Sequence, residues 1–402
     1  MFRSQRGAPP KPNQIHPAPD RAQATRRAQR VLRGHGIRNE GTYVPIVSRT
    51  QGAYLWLDDG TRFIDHDNAA GRIVIGHADP RIDRAAAETA AKLDLTSAGV
   101  TLTEVELAER IVGAIPSADV VRFVSSEAVA LLLARRIAAI ATKRTRTLVV
   151  RSHAARNRML PGLDGADTVC WSDVVAMTNS PTRGRSYAAL VVAPDAYPLW
   201  ERAAARQLQA TAGLAAHLGA VLIFDERTTA FRHHLGGYQA IAGIRPDLTV
   251  FGTTLGNGYG IAGVTSGASL TDLPGEQPPI ADYLAPPHAV SAATATFDLL
   301  ASGGVRRLWS NGDRLRKGLQ RAIRDGHVSA TVTGIGSTWS IKWNHSGPRA
   351  YATAARFRAG MLDAGVLLPA SLAAPANLNA AFSEDDVDET IDIAAAVLAQ
   401  TR

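Results

Sequence analysis

Five short apolar runs, at residues 121–124, 147–150, 187–192, 221–224 and 248–251, are separated by amphipathic stretches of helical length. A strand covered on both faces reads as a continuous apolar run, and parallel neighbours need crossovers of about that length. The pattern predicts an α/β chain with a mostly parallel sheet between two layers of helices. Around it the reading changes. Residues 52–65, GAYLWLDDGTRFID, alternate on either side of Asp59-Gly60 and predict a hairpin. Residues 306–324 predict a long Arg-rich helix, 331–343 a strand-like segment, and 383–400 a last helix. Ser383 is the N-cap of that last helix, succeeded by three acids that suit its first turn. Residues 21–33 predict an amphipathic helix, and the Pro-rich residues 1–20 a disordered arm. The expected organisation is an arm at 1–20, the first part of a small domain at 21–70, a large α/β domain at 71–299, and the rest of the small domain at 300–402.

In an open parallel sheet, ligands bind outside the carboxyl ends of the strands. The residues at the exit of each run therefore enumerate a pocket: Ser125, Ser126 and Glu127; Arg151, Ser152 and His153; Asp225, Glu226 and Arg227; Thr253 and Thr254. Any one of these reads equally well as a helix cap or a solvated loop charge. Together they read as a polar pocket rich in titratable groups. Tyr259, in the turn where Gly256 and Gly258 serve the backbone, is placed at its mouth. His233 and His234 are adjacent, so their rings point apart on most backbones, and no metal site is expected.

Composition narrows the setting. A single cysteine, Cys170, excludes an internal disulfide framework and suits a reducing cytoplasm. The first twenty residues lack an apolar signal core, and no run is long enough to span a bilayer. The formal charge of +8 comes from arginines scattered among acids and apolar stripes, which reads as solvated helix faces rather than a nucleic-acid surface.

The segments VLIFDERTTAFR (221–232) and PDLTVFGTTLGNG (246–258) resemble the core of the class III aminotransferases, nearest the glutamate-1-semialdehyde aminomutase type. GAYLWLDDGTRFID (52–65), IGHADP (75–80), TEVELAE (103–109) and FSEDDVDETI (382–391) extend the resemblance from about residue 21 to the end. It implies the fold-type-I architecture: a large three-layer domain, and a small α+β domain made from both chain ends. It also implies a homodimer whose sites draw on both subunits. Asp225 matches the carboxylate that pairs with the pyridine nitrogen of pyridoxal phosphate.

Other positions depart from that family. The lysine that carries pyridoxal phosphate as a Schiff base is Thr253 here, and a hydroxyl cannot replace an amine in that bond. The chain has five lysines, Lys11, Lys92, Lys143, Lys317 and Lys342, and none between residues 144 and 316. The valine that packs on the pyridine ring is Arg227, and the Ser-Gly-Thr phosphate cup is Ser126-Glu127-Ala128 or a deletion. The stacking aromatic has no counterpart in 151–158, the phosphate-binding threonine of the partner subunit aligns with Asp282, and a Ser-Trp pair is Ala69-Ala70.

These departures predict a chain without pyridoxal phosphate or any other cofactor. The expectation is a repurposed enzyme performing acid–base cyclisation, dehydration or elimination on a small molecule. Asp225, His153 and Arg227 are the catalytic candidates. Ser126, Glu127, Ser152, Glu226, Thr253, Thr254, Tyr259 and Asp282 line the expected substrate pocket. Two alternatives stand beside it: a non-catalytic partner of an active aminotransferase, and a pyridoxal-phosphate-dependent aminotransferase or aminomutase.

Overall fold

The computed structural model describes residues 46–151, 162–178, 186–196, 199, 203–252, 254–270, 284–372 and 374–400. The expected arm at 1–20 and helix at 21–33 lie outside them.

Three strands open the described chain: β1 (Val47–Gln51), β2 (Tyr54–Leu57) and β3 (Arg62–Asp65). β2 and β3 form the expected antiparallel hairpin, turning through Gly60, whose φ of +84° suits a residue without Cβ. The apolar runs become β4 (Val120–Val124), β5 (Arg146–Arg151), β7 (Tyr187–Val192), β8 (Val221–Asp225) and β9 (Leu248–Phe251). Two further strands, β6 (Asp167–Cys170) and β10 (Ala262–Ser266), complete a seven-stranded sheet in the order β4-β10-β9-β8-β7-β5-β6. All pairings are parallel except those of β10, which runs antiparallel to both neighbours. β10 has no long apolar run to announce it. Its Gly263 is required because a Cβ there would lie 2.3 Å from the Phe251 ring.

Side chains alternate across the sheet. Val149, Ala189, Val191, Val221, Ile223, Leu248 and Val250 face helix α3 (Glu127–Thr142), with its buried Leu131, Leu133 and Ile137. Leu148, Val150, Leu190, Val192, Leu222 and Phe224 face helix α4 (Ala204–Leu218), with Leu208 and Leu214. Burying each Val, Leu, Ile or Phe among them contributes about 1.5–3 kcal/mol, so the two faces fix the register of every strand. Helices α1 (Pro80–Ala90) and α2 (Leu102–Ala114) precede the sheet. α5 (Gly237–Ala242) lies between β8 and β9, and α6 (Pro287–Leu299) packs on α1 and α2.

The Arg-rich segment is α7 (Val305–Asp325). The strand-like stretch after it is a hairpin, β11 (Ala330–Thr333) with β12 (Thr338–Trp343). The chain ends with α8 (Gly347–Asp363), β13 (Val366–Leu367), β14 (Ala376–Asn377) and α9 (Glu384–Gln400). Ser383 caps α9 through the Asp386 amide at 3.1 Å, and Asp386 returns a bond to the Ser383 amide. β13 pairs parallel with β3, and β14 extends β12, so both chain ends meet around Trp339, Phe357, Met361 and Phe382.

Two buried histidines belong to this part of the protein or border it. His66 accepts from Trp339 Nε1 at 3.1 Å and, on that tautomer, donates through Nε2 to Thr390 Oγ1 at 3.1 Å. Burial lowers its pKa to about 4. His233 is lowered to about 3 by burial, with Arg232 and Arg316 adding to the effect. Each is neutral in the folded state and gains a proton on unfolding below about pH 6.5. Their stability contribution is therefore complete above that pH and is lost as pH falls toward the folded-state values. The loss is about 1.4 kcal/mol per pH unit per histidine. Glu226, raised by burial, opposes this trend. Urea unfolding at pH 7 and pH 5 is expected to show clearly lower stability at pH 5. A flat profile would refute the neutral buried pair.

Candidate active site

The alternation that packs the sheet also sorts the strand-end residues. Asp225 continues the β8 face of Val221 and Ile223, toward α3; Arg151 continues that of Val149 on β5, and Gly252 that of Val250 on β9. At this edge α3 begins, with Ser126 as its cap and Glu127 in its first turn. Asp225, Arg227, Glu127 and Gly252 are thus gathered in one place by three elements: β8, β9 and α3.

Asp225 is buried, and both its oxygens are taken by one guanidinium. Arg227 Nε lies 2.6 Å from Oδ1 and Nη2 lies 2.6 Å from Oδ2. Such a bidentate, charge-assisted pair is among the strongest polar contacts a protein makes. Burial opposes the charge on Arg227, yet Asp225, and behind it Glu127 and Asp195, raise its pKa above the ordinary value. Glu127 lies against the main chain at the exit of β9, where a Cβ on Gly252 would sit 2.3 Å from its Oε1. Its other oxygen receives Arg72 Nη2 at 3.2 Å. Arg151 is buried at the end of β5, and that burial lowers its pKa.

Arg72 is delivered by a backbone feature that the sequence does not disclose. Asn68, Ala69 and Ala70 have φ of 48°, 53° and 57°, and Gly71 after them 84°, which makes a left-handed turn. Left-handed geometry costs about 1–2 kcal/mol for each residue bearing a Cβ. The turn persists because its surroundings hold it. Asp65 Oδ1 accepts the amides of Asp67 and Asn68 at 2.8 and 3.0 Å, and Asp67 Oδ2 accepts that of Ala70 at 3.0 Å. The fully buried Arg232 donates to the Gly71 carbonyl and, through Nη1, to Ser337 Oγ at 3.0 Å.

Other expected pocket residues are placed differently. Glu226 falls on the opposite face, where it accepts the amides of Tyr238 (2.6 Å) and Gln239 (2.9 Å) and the Thr229 hydroxyl (2.8 Å). It organises the start of α5 instead of entering the site. Ser126 accepts the Val129 amide as a helix cap. Thr254 is buried, with Oγ1 3.5 Å from the Arg227 carbonyl. Tyr259 gives its hydroxyl to Asp83 of α1 at 3.0 Å. Ser152, His153, Thr253 and Asp282 lie outside the described residues. Among the described residues no three His, Cys, Asp or Glu side chains come together as a metal site, and no helix is long and apolar enough to cross a membrane. A cleft of about 450 Å³ opens at the other, amino-terminal edge of the sheet. There Asp247 accepts the Leu222 amide and Asp119 that of Ala268, so their carboxylates serve the backbone.

The site can be tested against the group that the family resemblance implies. Asp225 holds a buried carboxylate that a protonated ring nitrogen would take by displacing Arg227, and Arg72 and Arg151 bring positive charge suited to a phosphate ester. The four lysines among the described residues sit at the ends of α1 and α3, within α7 and on β12, away from the exits of β8 and β9. The residues therefore fit a pyridoxal-type group held by charge, and these lysines offer it no amine for a covalent bond.

The family model for aminotransferase class-III matches residues 37–195. A glutamate-1-semialdehyde 2,1-aminomutase of Rhodopirellula baltica is 31% identical over 394 residues, covering 88% of this chain and 88% of that one. One of Methanothrix thermoacetophila is 29% identical over 413 residues, 91% of this chain and 93% of that one. Among solved structures, an omega-transaminase from Sphaerobacter thermophilus superposes with a TM-score of 0.84 at 24% identity, covering 95% of this chain and 98% of that one. A transaminase with PLP bound gives 0.79 at 21%, covering 94% and 97%. A glutamate-1-semialdehyde aminomutase from Pseudomonas aeruginosa PAO1, in a lysine-to-alanine form in complex with PMP, gives 0.80 at 18%, covering 96% and 95%.

These findings overturn the expectation of a cofactor-independent cyclase, dehydratase or lyase, and with it the expectation of no cofactor. The likeness to aminomutases runs through nearly the whole chain. One covalent bond is not the whole of cofactor binding; in the Pseudomonas protein, PMP is held by a chain whose lysine has been replaced.

Proposed function

We propose that this chain, which belongs to the class III aminotransferase family, is a pyridoxal-phosphate-dependent aminotransferase or aminomutase that holds its cofactor without a covalent bond. The observation that carries this reading is the 31% identity to an aminomutase across 88% of the chain. A bound pyridoxal-type cofactor supplies an electron sink joined to the nitrogen of its substrate. The chain's own part is to bind and orient. Asp225 would face the ring nitrogen and hold its proton, Arg72 and Arg151 would neutralise the phosphate, and the α3 face would exclude water. Thr253 leaves the amino group of the pyridoxamine form unchallenged by a lysine, which favours that form as the resting one. The substrate is a small molecule with an amine or a carbonyl to exchange.

A homodimer belongs to the same reading. Leu93, Leu95, Val100, Leu102 and Val105 form an exposed apolar stretch beside α2, and a second copy of the chain is its natural cover.

Titration of the purified protein with pyridoxamine phosphate and pyridoxal phosphate tests the proposal, read by absorbance and by the thermal midpoint. Pyridoxamine phosphate is expected to bind and to stabilise by about 2.7 kcal/mol at a hundred times its Kd. Failure of both compounds to bind would end this reading.

A further inference from the structure

Glu127 and Arg72 stand at the same strand edge but are held with very different firmness. Glu127 begins α3, lies against Gly252 so closely that any other residue there would collide with it, and is attracted by Arg227 as well as Arg72. Arg72 is half-exposed, and its side chain bonds Glu127 at 3.2 Å and the Ala69 carbonyl at 3.3 Å. An ion pair with one solvated partner is weak and easily exchanged. The backbone that carries Arg72 is the reverse, a left-handed turn fixed by Asp65, Asp67 and Arg232. A guanidinium on a rigid stem, engaged by an exchangeable internal carboxylate, has the construction of a recognition group presented with a stand-in for its ligand.

We propose that Arg72 receives an anionic group of the ligand, a phosphate monoester or a carboxylate, and that Glu127 occupies that position as an internal substitute until the ligand arrives. This rests on the strand edge being the active site. It adds a specificity device: an entering anion must displace the Glu127 bond, and a neutral analogue gains nothing from doing so. The Arg72 guanidinium can offer an arriving anion two donors side by side, which a lysine cannot reproduce. Its position follows no strand of the seven-stranded sheet, so a search of those strand exits overlooks it.

The test uses the full chain without cofactor, with inorganic phosphate, succinate and the neutral succinamide as probes. Affinities are measured calorimetrically for wild type, Glu127→Gln, Arg72→Gln and the double variant. Removing the internal competitor in Glu127→Gln is expected to tighten binding of the preferred anion about tenfold, with succinamide unaffected. Arg72→Gln is expected to lose that binding in both backgrounds, and Arg72→Lys to recover part of it. A preference for phosphate assigns the position to a phosphoryl group, and a preference for succinate to a substrate carboxylate. Unchanged affinity in Arg72→Gln, no gain in Glu127→Gln, or no anion binding by any folded variant would each overturn the proposal. Thermal midpoints without ligand identify a variant that has failed to fold, for which Arg72→Lys and Glu127→Asp are the substitutes. Anion binding without pyridoxamine phosphate binding would remove the proposed function alone. The converse would remove this inference alone.

Discussion

Asp225→Asn is expected to lower the unfolding free energy by about 3 kcal/mol or more, the cost of leaving one member of a buried ion pair without its partner. The amide is nearly isosteric, so no cavity contributes, and the loss would be electrostatic. Arg227 would keep the more distant attraction of Glu127 and Asp195. The bidentate bonds at 2.6 Å would be replaced by at most one neutral acceptor. Urea denaturation of wild type and variant at pH 7 gives the difference directly. Pyridoxamine phosphate binding measured on the same variant separates stability from function, because the carboxylate proposed to face the ring nitrogen is also gone. A variant as stable as wild type would mean that the pair is not closed in solution as it is in this structure.

The sheet is readable in the sequence because four of its strands, β5, β7, β8 and β9, are buried on both faces along nearly their whole length and are mostly apolar. β10 is not, since Gly263 must be a glycine to admit the Phe251 ring and leaves no run to detect. Asp225 and Arg227 can be placed at a strand end from their position after residues 221–224. The side each takes needs the alternation as well. Counting from Ile223 sends Asp225 toward α3 and Glu226 away from it, a signal that is lost when every residue after a strand is assigned to the pocket. Arg72 has no such signal. Its location depends on four consecutive residues with positive φ, two of them alanine, and on a buried arginine about 160 positions later reaching the Gly71 carbonyl. Sequence propensity cannot foresee a conformation that its own residues disfavour and distant ones impose. The cofactor is misjudged from sequence for a different reason. Thr253 removes a covalent bond, whereas binding also depends on charge and shape supplied by many residues.

Arg227→Val tests that distinction. In the family resemblance a valine occupies this position, and here the guanidinium takes both oxygens of the carboxylate that a ring nitrogen would need. Binding to the wild-type protein must therefore exchange one cation for another at Asp225. In Arg227→Val the carboxylate is buried without its partner, so the ligand-free variant is expected to lose about 3 kcal/mol or more of stability. A protonated ring nitrogen would then be the best available partner. Pyridoxamine phosphate is expected to bind about tenfold or more tighter than to wild type, about 1.4 kcal/mol. Its stabilising effect on the thermal midpoint should be correspondingly larger, because ligand binding to the folded state alone adds to stability through mass action. Arg72 and Arg151 remain to meet the phosphate, so the gain is not offset there. Calorimetric titration of both proteins, with thermal midpoints recorded at matched ligand concentrations, provides the comparison. Equal or weaker binding by Arg227→Val would show that Arg227 takes part in holding the cofactor rather than competing with it, and Asp225 would lose its assignment to the ring nitrogen.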